Sequence, residues 1–331
     1  REIVAVKRII QPNRPNDFPT QRDGQPGQPN ECPQTTTREI LLLQKLDNEN
    51  IVRLKFVVQT QEFDAGLYLV FEYCEYDLYA LLYKKCLKKE YMLSLMKQLL
   101  FALHACSVER IVHRDLKPAN IFVTKNNVLK LGDFGLARML NEHPRYSNQV
   151  VTLWYRPPEL LVGIQQYGME VDIWSAGCIL YEMATSKVLF RPQKNSDILE
   201  LSEIFKLCGK PRKDWIGFRG QNKDVFDNIK ETIPKESKLK SFFDSTIPLD
   251  YGPDFVDLLM KMLTINPEDR ITIEDALNHP FIRSIDSTYD PYKLPQLDVE
   301  EIHQLIVSEE KEEKKRLQNL AQTQNLRPAR S

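Results

Sequence analysis

Between Ile111 and Gln149, short apolar runs are broken by a concentration of His, Arg, Asp, Lys and Asn. This polar stretch lies within a chain that changes character. Ahead of it, Ile3–Ile10, Ile51–Thr60 and Leu67–Glu72 are rich in β-branched and aromatic residues and read as strands. One helix interrupts them: Ile40, Leu43 and Leu46 recur at helical spacing, with threonines 35–37 ahead of them as caps. After Tyr73 the pattern is helical, with dense apolar content at helical periods over 78–82, 91–106, 171–183, 198–208 and 255–263. The segment 171–183 is apolar nearly all round and predicts a central buried helix. The expected plan is α+β. A small strand-rich lobe covers 1–73, with an irregular Pro-, Asn- and Gln-rich loop inserted at 11–33. A large helical lobe covers 74–283, and a partly helical extension covers 284–331.

Composition excludes several classes. A net charge of −1 over 331 residues gives no global argument for nucleic-acid or membrane-surface binding. No apolar run reaches the roughly 20 residues a membrane helix needs, so no span is expected. The six cysteines are scattered without a C-x-x-C pair, which argues against a disulfide framework or zinc knuckle and for a reducing interior. The chain starts at Arg1 and enters a strand-like run at once, as a piece of a longer protein would. Residues 209–248 are charged and weakly periodic and are expected to form an inserted surface segment. In the tail, Asp298 and Glu301 make a capping pair. Val299, Ile302, Leu305 and Ile306 then give a short apolar face before a charge run at 309–316, predicting a docked helix that continues into solvent.

The polar stretch contains His113-Arg114-Asp115-Leu116-Lys117-Pro118-Ala119-Asn120 and then Asp133-Phe134-Gly135. Two acids and an amide at these spacings suit phosphoryl transfer. One acid orients the attacking hydroxyl, while Asn and the second Asp hold Mg²⁺ against phosphates. The two segments match the H-R-D-x-K-x-x-N and D-F-G patterns in full and in order. Trp154-Tyr155-Arg156-Pro157-Pro158-Glu159 follows where A-P-E would stand, with Pro for Ala.

These motifs resemble those of the protein kinases, and the resemblance extends from residue 1 to about 283. It implies the bilobal kinase fold, ATP and Mg²⁺ as cofactors, and a set of residue roles. Asp115 would orient the hydroxyl, and Asn120 and Asp133 would hold the metal. Lys117 would neutralise charge on the transferred group, with Thr152 holding Asp115 and Lys117 in place. In Val4-Ala5-Val6-Lys7, Lys7 would hold the α- and β-phosphates, paired with Glu39 on the helix. Leu69–Cys74 would be the hinge, with Phe71 at the back of the pocket and Glu72 and Cys74 offering backbone groups to adenine. Asp77 would meet the ribose, or else simply cap a helix. Glu159 and Arg270 would form a buried structural ion pair, and Asp172 would anchor the backbone of the His-Arg-Asp loop.

The run Arg145–Arg156 is similar to the cyclin-dependent kinases, closest to the transcription-associated branch whose members phosphorylate the C-terminal repeat tail of RNA polymerase II. Lys117 fits a Ser/Thr kinase. This likeness implies a cyclin partner, Ser-Pro and Thr-Pro protein substrates, no nucleic-acid or membrane partner, and a nuclear location ahead of a cytoplasmic one. Proline would be selected because the Val150-Val151 backbone, steadied by Arg156, leaves an amide hydrogen there unsatisfied. Ser147 would be the activation phosphosite, read by Arg38, Arg114 and Arg138. Departures accompany the likeness. No glycine-rich loop precedes Ile3, the 11–33 loop is about a dozen residues longer than such loops usually are, residues 33–37 differ from the usual cyclin-binding signature, and Ser147 replaces Thr. Two further readings are a non-catalytic kinase-fold scaffold and a cyclin-independent proline-directed kinase.

Overall fold

The computed structural model describes residues 2–9, 34–60, 66–84, 88–140, 153–194, 196–220, 224–227, 229–285 and 290–297. The loop at 11–33, the tail helix expected from Asp298, and Ser147, Val150, Val151 and Thr152 lie outside them. The small lobe comprises β1 (Val4–Ile9), α1 (Gln34–Lys45), β2 (Leu54–Thr60) and β3 (Gly66–Glu72). Its antiparallel sheet has the order β1-β3-β2, with Lys7 opposite Leu69. Glu39, Leu42 and Leu43 fall at i, i+3 and i+4, so α1 buries one carboxylate on its apolar face. The strand expected from Ile51 begins only at Leu54. Ile51 instead forms a parallel bridge with Leu131, flanked by Val52 N–H to Leu131 O at 2.9 Å and Leu131 N–H to Asn50 O at 2.8 Å. Segment 50–52 therefore ties the small lobe to the polar junction.

The junction follows through β4 (Tyr76–Asp77), α2 (Leu78–Tyr83), α3 (Lys89–Val108), β5 (Ile111–Val112), β6 (Ile121–Val123), β7 (Leu129–Leu131) and β8 (Arg138–Met139). Strands β4, β6 and β7 form one small sheet, and β5 pairs with β8. By length and composition, α3 is apolar enough to cross a membrane, contrary to the expectation from sequence. Its Met96, Leu99 and Leu103 are buried in the core. Gln98 is buried there too and fully used: it donates to Ser94 Oγ and Asn127 O and accepts from Asn50 Nδ2 and Leu129 N–H.

The large lobe adds α4 (Pro158–Leu161), α5 (Glu170–Thr185), α6 (Asp197–Cys208), α7 (Asp224–Asp227), α8 (Leu239–Thr246), α9 (Pro253–Met262), α10 (Ile273–Leu277) and α11 (Pro280–Ser284). Every residue of α5 from Val171 to Met183 is buried, as its sequence predicts. Close packing against α9 explains Gly177, where a Cβ would stand 3.0 Å from Met262 Cβ. Residues 209–248 are not a surface insertion. Trp215, Phe226, Leu239 and Phe243 are buried, and Trp215 meets Phe205 of α6 edge-on at 5.5 Å. Short helices and turns present these aromatics one at a time, so no period betrays them. Residues 290–297 lie back across the junction as a strap: Leu297 N–H donates to Lys125 O, Tyr91 Oη to Pro295 O, and Asn127 Nδ2 to Pro291 O.

Candidate active site

The loop after β5 is held from beneath. Asp172, at the start of α5, accepts from His113 N–H at 2.7 Å and Arg114 N–H at 2.9 Å. Burial drives its carboxyl pKa upward against those two donors. The anchoring lets Arg114 keep φ at 69°, a left-handed conformation that costs a non-glycine residue energy. His113 is fully buried; its Nε2 lies 2.9 Å from Gly132 O and its ring meets Phe134 edge-on at 4.9 Å. Above this floor three polar side chains converge. Lys117 Nζ donates to Asp115 Oδ2 at 2.7 Å, and Asn120 Nδ2 donates to the same oxygen at 2.9 Å and to Asp115 O at 2.8 Å. Both amide hydrogens of Asn120 are thus directed to Asp115.

Asp133 stands at the second motif with φ 57°, while Phe134 behind it is buried. Lys7 Nζ, reaching from β1, donates to Glu39 Oε1 at 2.8 Å and to Asp133 Oδ1 at 3.0 Å. Burial alone would raise the Asp133 carboxyl, but the Lys7 charge and hydrogen bond, with His113 and Lys117 adding, hold it below the ordinary 3.8. Burial likewise works to lower the Lys7 ammonium, and the two carboxylates outweigh it, so its pKa rises. Glu39 is 96% enclosed at its side chain, whereas Lys7 and Asp133 remain 41% and 45% exposed. The pair is therefore rooted in the interior and open on the side facing the cleft. Because α1 packs on the Phe134–Leu136 turn, the helix and the Asp133 loop are positioned together.

At the hinge, the Glu72 carboxylate serves structure, accepting from Arg53 N–H at 2.8 Å and pairing with Lys130 at 3.0 Å. The Glu72 backbone N–H is also spent, donating to Arg53 O at 3.0 Å. Burial first, then Glu72, pushes the Cys74 thiol up to about 12, so it is no thiolate at neutral pH. Phe71 is half-buried against the core. Asp77 caps α2, accepting from Ala80 N–H at 2.7 Å, which favours the capping alternative over a dedicated ribose ligand. The three expected phosphate-reading arginines lie on adjoining elements: Arg38 on α1, Arg138 on β8 opposite Val112, and Arg114 two residues beyond Val112. Arg114 is already fixed, its Nε donating to Leu136 O at 2.7 Å and its Nη1 to Tyr167 Oη at 2.9 Å. Tyr167 was not foreseeable, since a lone tyrosine far along the chain gives no local signal. Arg156 N–H donates to Leu153 O at 2.8 Å, and its charge is felt by Asp197 and Glu200 on α6. Glu159 and Arg270 form the expected buried pair at 2.8 Å.

A family model for the protein kinase domain matches residues 1–282. Cyclin-dependent kinase 12 of Caenorhabditis elegans is 39% identical over an alignment of 317 residues that covers 89% of this chain and 39% of that protein. Cyclin-dependent kinase 9 of Homo sapiens is 36% identical over 296 residues, covering 85% of this chain and 73% of that protein. Among solved structures, the yeast RNA Pol II CTD kinase CTDK-1 complex matches with a TM-score of 0.72 and 30% identity, over 88% of this chain and 89% of that one. The small sheet lobe and the helical lobe are those of the bilobal α+β kinase fold. The chain belongs to the protein kinase family, among its cyclin-dependent members, and spans less than half the length of the worm relative.

Proposed function

We propose that the chain works as a cyclin-dependent, proline-directed Ser/Thr protein kinase, transferring the γ-phosphate of ATP to Ser-Pro and Thr-Pro sites in the nucleus. The repeat tail of RNA polymerase II is the substrate suggested by the transcription-associated relatives. The observation that carries this reading is the convergence of Lys7, Glu39 and Asp133 from three elements on one side of a cleft whose floor is Asp115, Lys117 and Asn120. Asp115 orients the substrate hydroxyl and takes up its proton. Lys117, already on Asp115, offsets charge on the transferred group. Lys7 holds the non-reacting phosphates and Glu39 holds Lys7.

The donor set fits Mg²⁺. Asp133 and Asn120 supply one carboxylate and one amide oxygen, leaving the remaining positions to water and phosphate. Among the described residues no cluster of three His, Cys, Asp or Glu forms a cage that would favour another metal. Bound with ATP, Mg²⁺ would offset the negative charge of the phosphates. A cyclin partner is supported by apolar exposure on and beside the regulatory helix: Leu41 of α1 and Phe56, Val57 and Val58 of β2 all face solvent. Ser147 is the proposed activation site, its phosphate bridging Arg38, Arg114 and Arg138.

The test is phosphate transfer by the full-length protein, with and without a cyclin, to a Ser-Pro peptide and to the same peptide with Ala after the phosphoacceptor. The expected result is at least about ten-fold preference for Pro, a difference of about 1.4 kcal/mol, and stimulation by the cyclin. Equal rates on the two peptides would remove the proline-directed assignment. A proline preference with no cyclin effect would turn the reading to the partner-independent alternative.

A further inference from the structure

Asn127, in the turn between β6 and β7, is 1% exposed, and its side chain holds the strap. Its Nδ2 donates to Pro291 O and Pro295 O, each at 3.1 Å, and more weakly to Leu294 O at 3.4 Å. A φ of 65° suits asparagine in a turn. Turn geometry does not explain why the amide is buried against three carbonyls from the far end of the chain. The strap itself is suited to being held: Pro291 and Pro295 fix φ at two of its eight positions, which lowers the entropic cost of ordering it.

From Asn127 the contacts run inward without a break. The Asn127 carbonyl accepts from Gln98 Nε2 at 3.0 Å, and Gln98 Oε1 accepts from Asn50 Nδ2 at 3.0 Å. Asn50 O then accepts from Leu131 N–H at 2.8 Å, and Leu131 O from Val52 N–H at 2.9 Å. Asn127, Gln98 and Asn50 are all buried, and a connected buried network rigidifies what it joins. A shorter path reaches the same place from outside, where Tyr292 Oη donates to Glu49, the neighbour of Asn50. The strap thus grips segment 49–50 twice. That segment follows α1, which carries Glu39, and β7 beside it leads into Gly132 and Asp133. Little slack remains there: a Cβ at Gly132 would stand 2.6 Å from the Phe122 ring and 3.2 Å from Val52 Cγ1. Glu39 and Asp133 are the two carboxylates that hold Lys7.

We propose that residues 290–297 form a clasp that fixes α1 relative to the Asp133 loop, with Asn127 and Tyr292 as positioning residues for phosphoryl transfer. This rests on the protein-kinase reading above and adds to it a dependence of the Lys7 site on the opposite end of the chain. With the clasp closed, Glu39 and Asp133 stay on Lys7 together. With it open, segment 49–52 is freer to carry α1 away from Asp133, and the competent arrangement becomes less populated. Asn127 and Tyr292 act through that segment and not on the reacting groups, so the peptide side of the cleft at Asp115 is unaltered.

Three variants of the full-length protein test this. Tyr292→Phe keeps the ring and loses only the donor to Glu49. Asn127→Gly keeps the left-handed backbone and loses the amide. Glu49→Gln keeps an acceptor for the phenol. Hydrogen exchange of the free proteins reads the clasp itself. Exchange at the Val52 and Leu131 amides should quicken at least about five-fold in Tyr292→Phe and Asn127→Gly, the effect of losing roughly one hydrogen bond. It should keep the wild-type rate in Glu49→Gln, and amides of α9 should keep theirs in all three. Steady-state transfer from Mg²⁺-ATP to a Ser-Pro peptide is then measured with the cyclin that co-purifies with the protein. Each rate is divided by the number of nucleotide sites counted by calorimetric titration with Mg²⁺-ADP, which removes any unfolded fraction. On that basis kcat should fall about five-fold in Tyr292→Phe and Asn127→Gly with the peptide KM unchanged, and Glu49→Gln should match the wild type. Unchanged exchange at Val52 and Leu131, equal quickening in α9, or wild-type kcat per site in both clasp variants would overturn the proposal. A wild type that transfers no phosphate, with the exchange pattern as expected, would count against the kinase reading and not against the clasp.

Discussion

Two carboxyl groups behave oppositely in this fold, and the contrast shows what each environment does. Asp133 is held below its ordinary pKa, so its charge contributes stability above about pH 4 that is lost as pH falls through the folded value. Lys7 is raised above its ordinary 10.5, so its contribution is present below that value and lost only at higher pH. Asp133 and Lys7 therefore both stay charged across neutral pH. Glu200 is the reverse. It is fully buried on α6, and neither carboxyl oxygen has a hydrogen-bond partner among the described residues. Burial, then the charge of Glu203 and that of Asp197, with Arg156 opposing, raises it from 4.5 to about 8. A carboxyl raised on folding favours the folded state at low pH, and that advantage is lost between its unfolded and folded values. We predict that Glu200→Gln matches the wild type in stability near pH 4.5 and exceeds it near pH 8 by up to roughly 4 kcal/mol. Thermal melts of both proteins at those two pH values check this, and parallel curves would contradict it.

At the scale of elements, the Glu159–Arg270 pair fastens α4 to the turn after α9. Arg270 is fully satisfied: it reaches both Glu159 oxygens, at 2.8 and 3.1 Å, and the carbonyls of Glu170, Thr264 and Ile265, and its guanidinium lies 5.1 Å from the Trp174 ring centroid. Truncating one partner leaves a buried charge unpaired, which costs about 3–5 kcal/mol. Arg270→Leu should therefore shift the urea midpoint strongly downward, whereas Lys240→Leu, which removes an exposed pair with Asp244, should shift it little. Similar shifts in the two variants would refute the assignment. This pair was legible in sequence because it belongs to a motif set. So were α1, α3, α5, α6 and α9, whose periods are strong. Residues 209–248 were misread because Trp215, Phe226 and Phe243 reach the core from separate short elements. The strap at 290–297 gave no periodic signal, since its hold comes from backbone carbonyls accepting from Asn127 and Tyr91. Asp77 shows that a cap and a ligand look alike in sequence. Tyr167 shows that a positioning contact across 53 residues leaves no local trace.

For the molecule as a whole, the two lobes meet at the active site itself. Lys7 and Glu39 belong to the small lobe and Asp133 to the junction, while Asp115, Lys117 and Asn120 rest on a loop bolted to α5 through Asp172. Segment 50–52, bridged to β7, gives the lobes a second connection, so their relative placement bears directly on whether Lys7 reaches Asp133. The central claim is that these residues form one phosphoryl-transfer centre, in which electrostatic positioning supplies most of the catalysis. Its most direct test is the rate of γ-phosphate transfer from Mg²⁺-ATP to a Ser-Pro peptide by the full-length protein with its cyclin, wild type against Asp133→Asn. Melting temperatures of the two proteins are measured in the same buffer. The account predicts a loss of at least about 10²–10³-fold in kcat with the melting temperature nearly unchanged. Near wild-type turnover by the folded Asp133→Asn variant would contradict it.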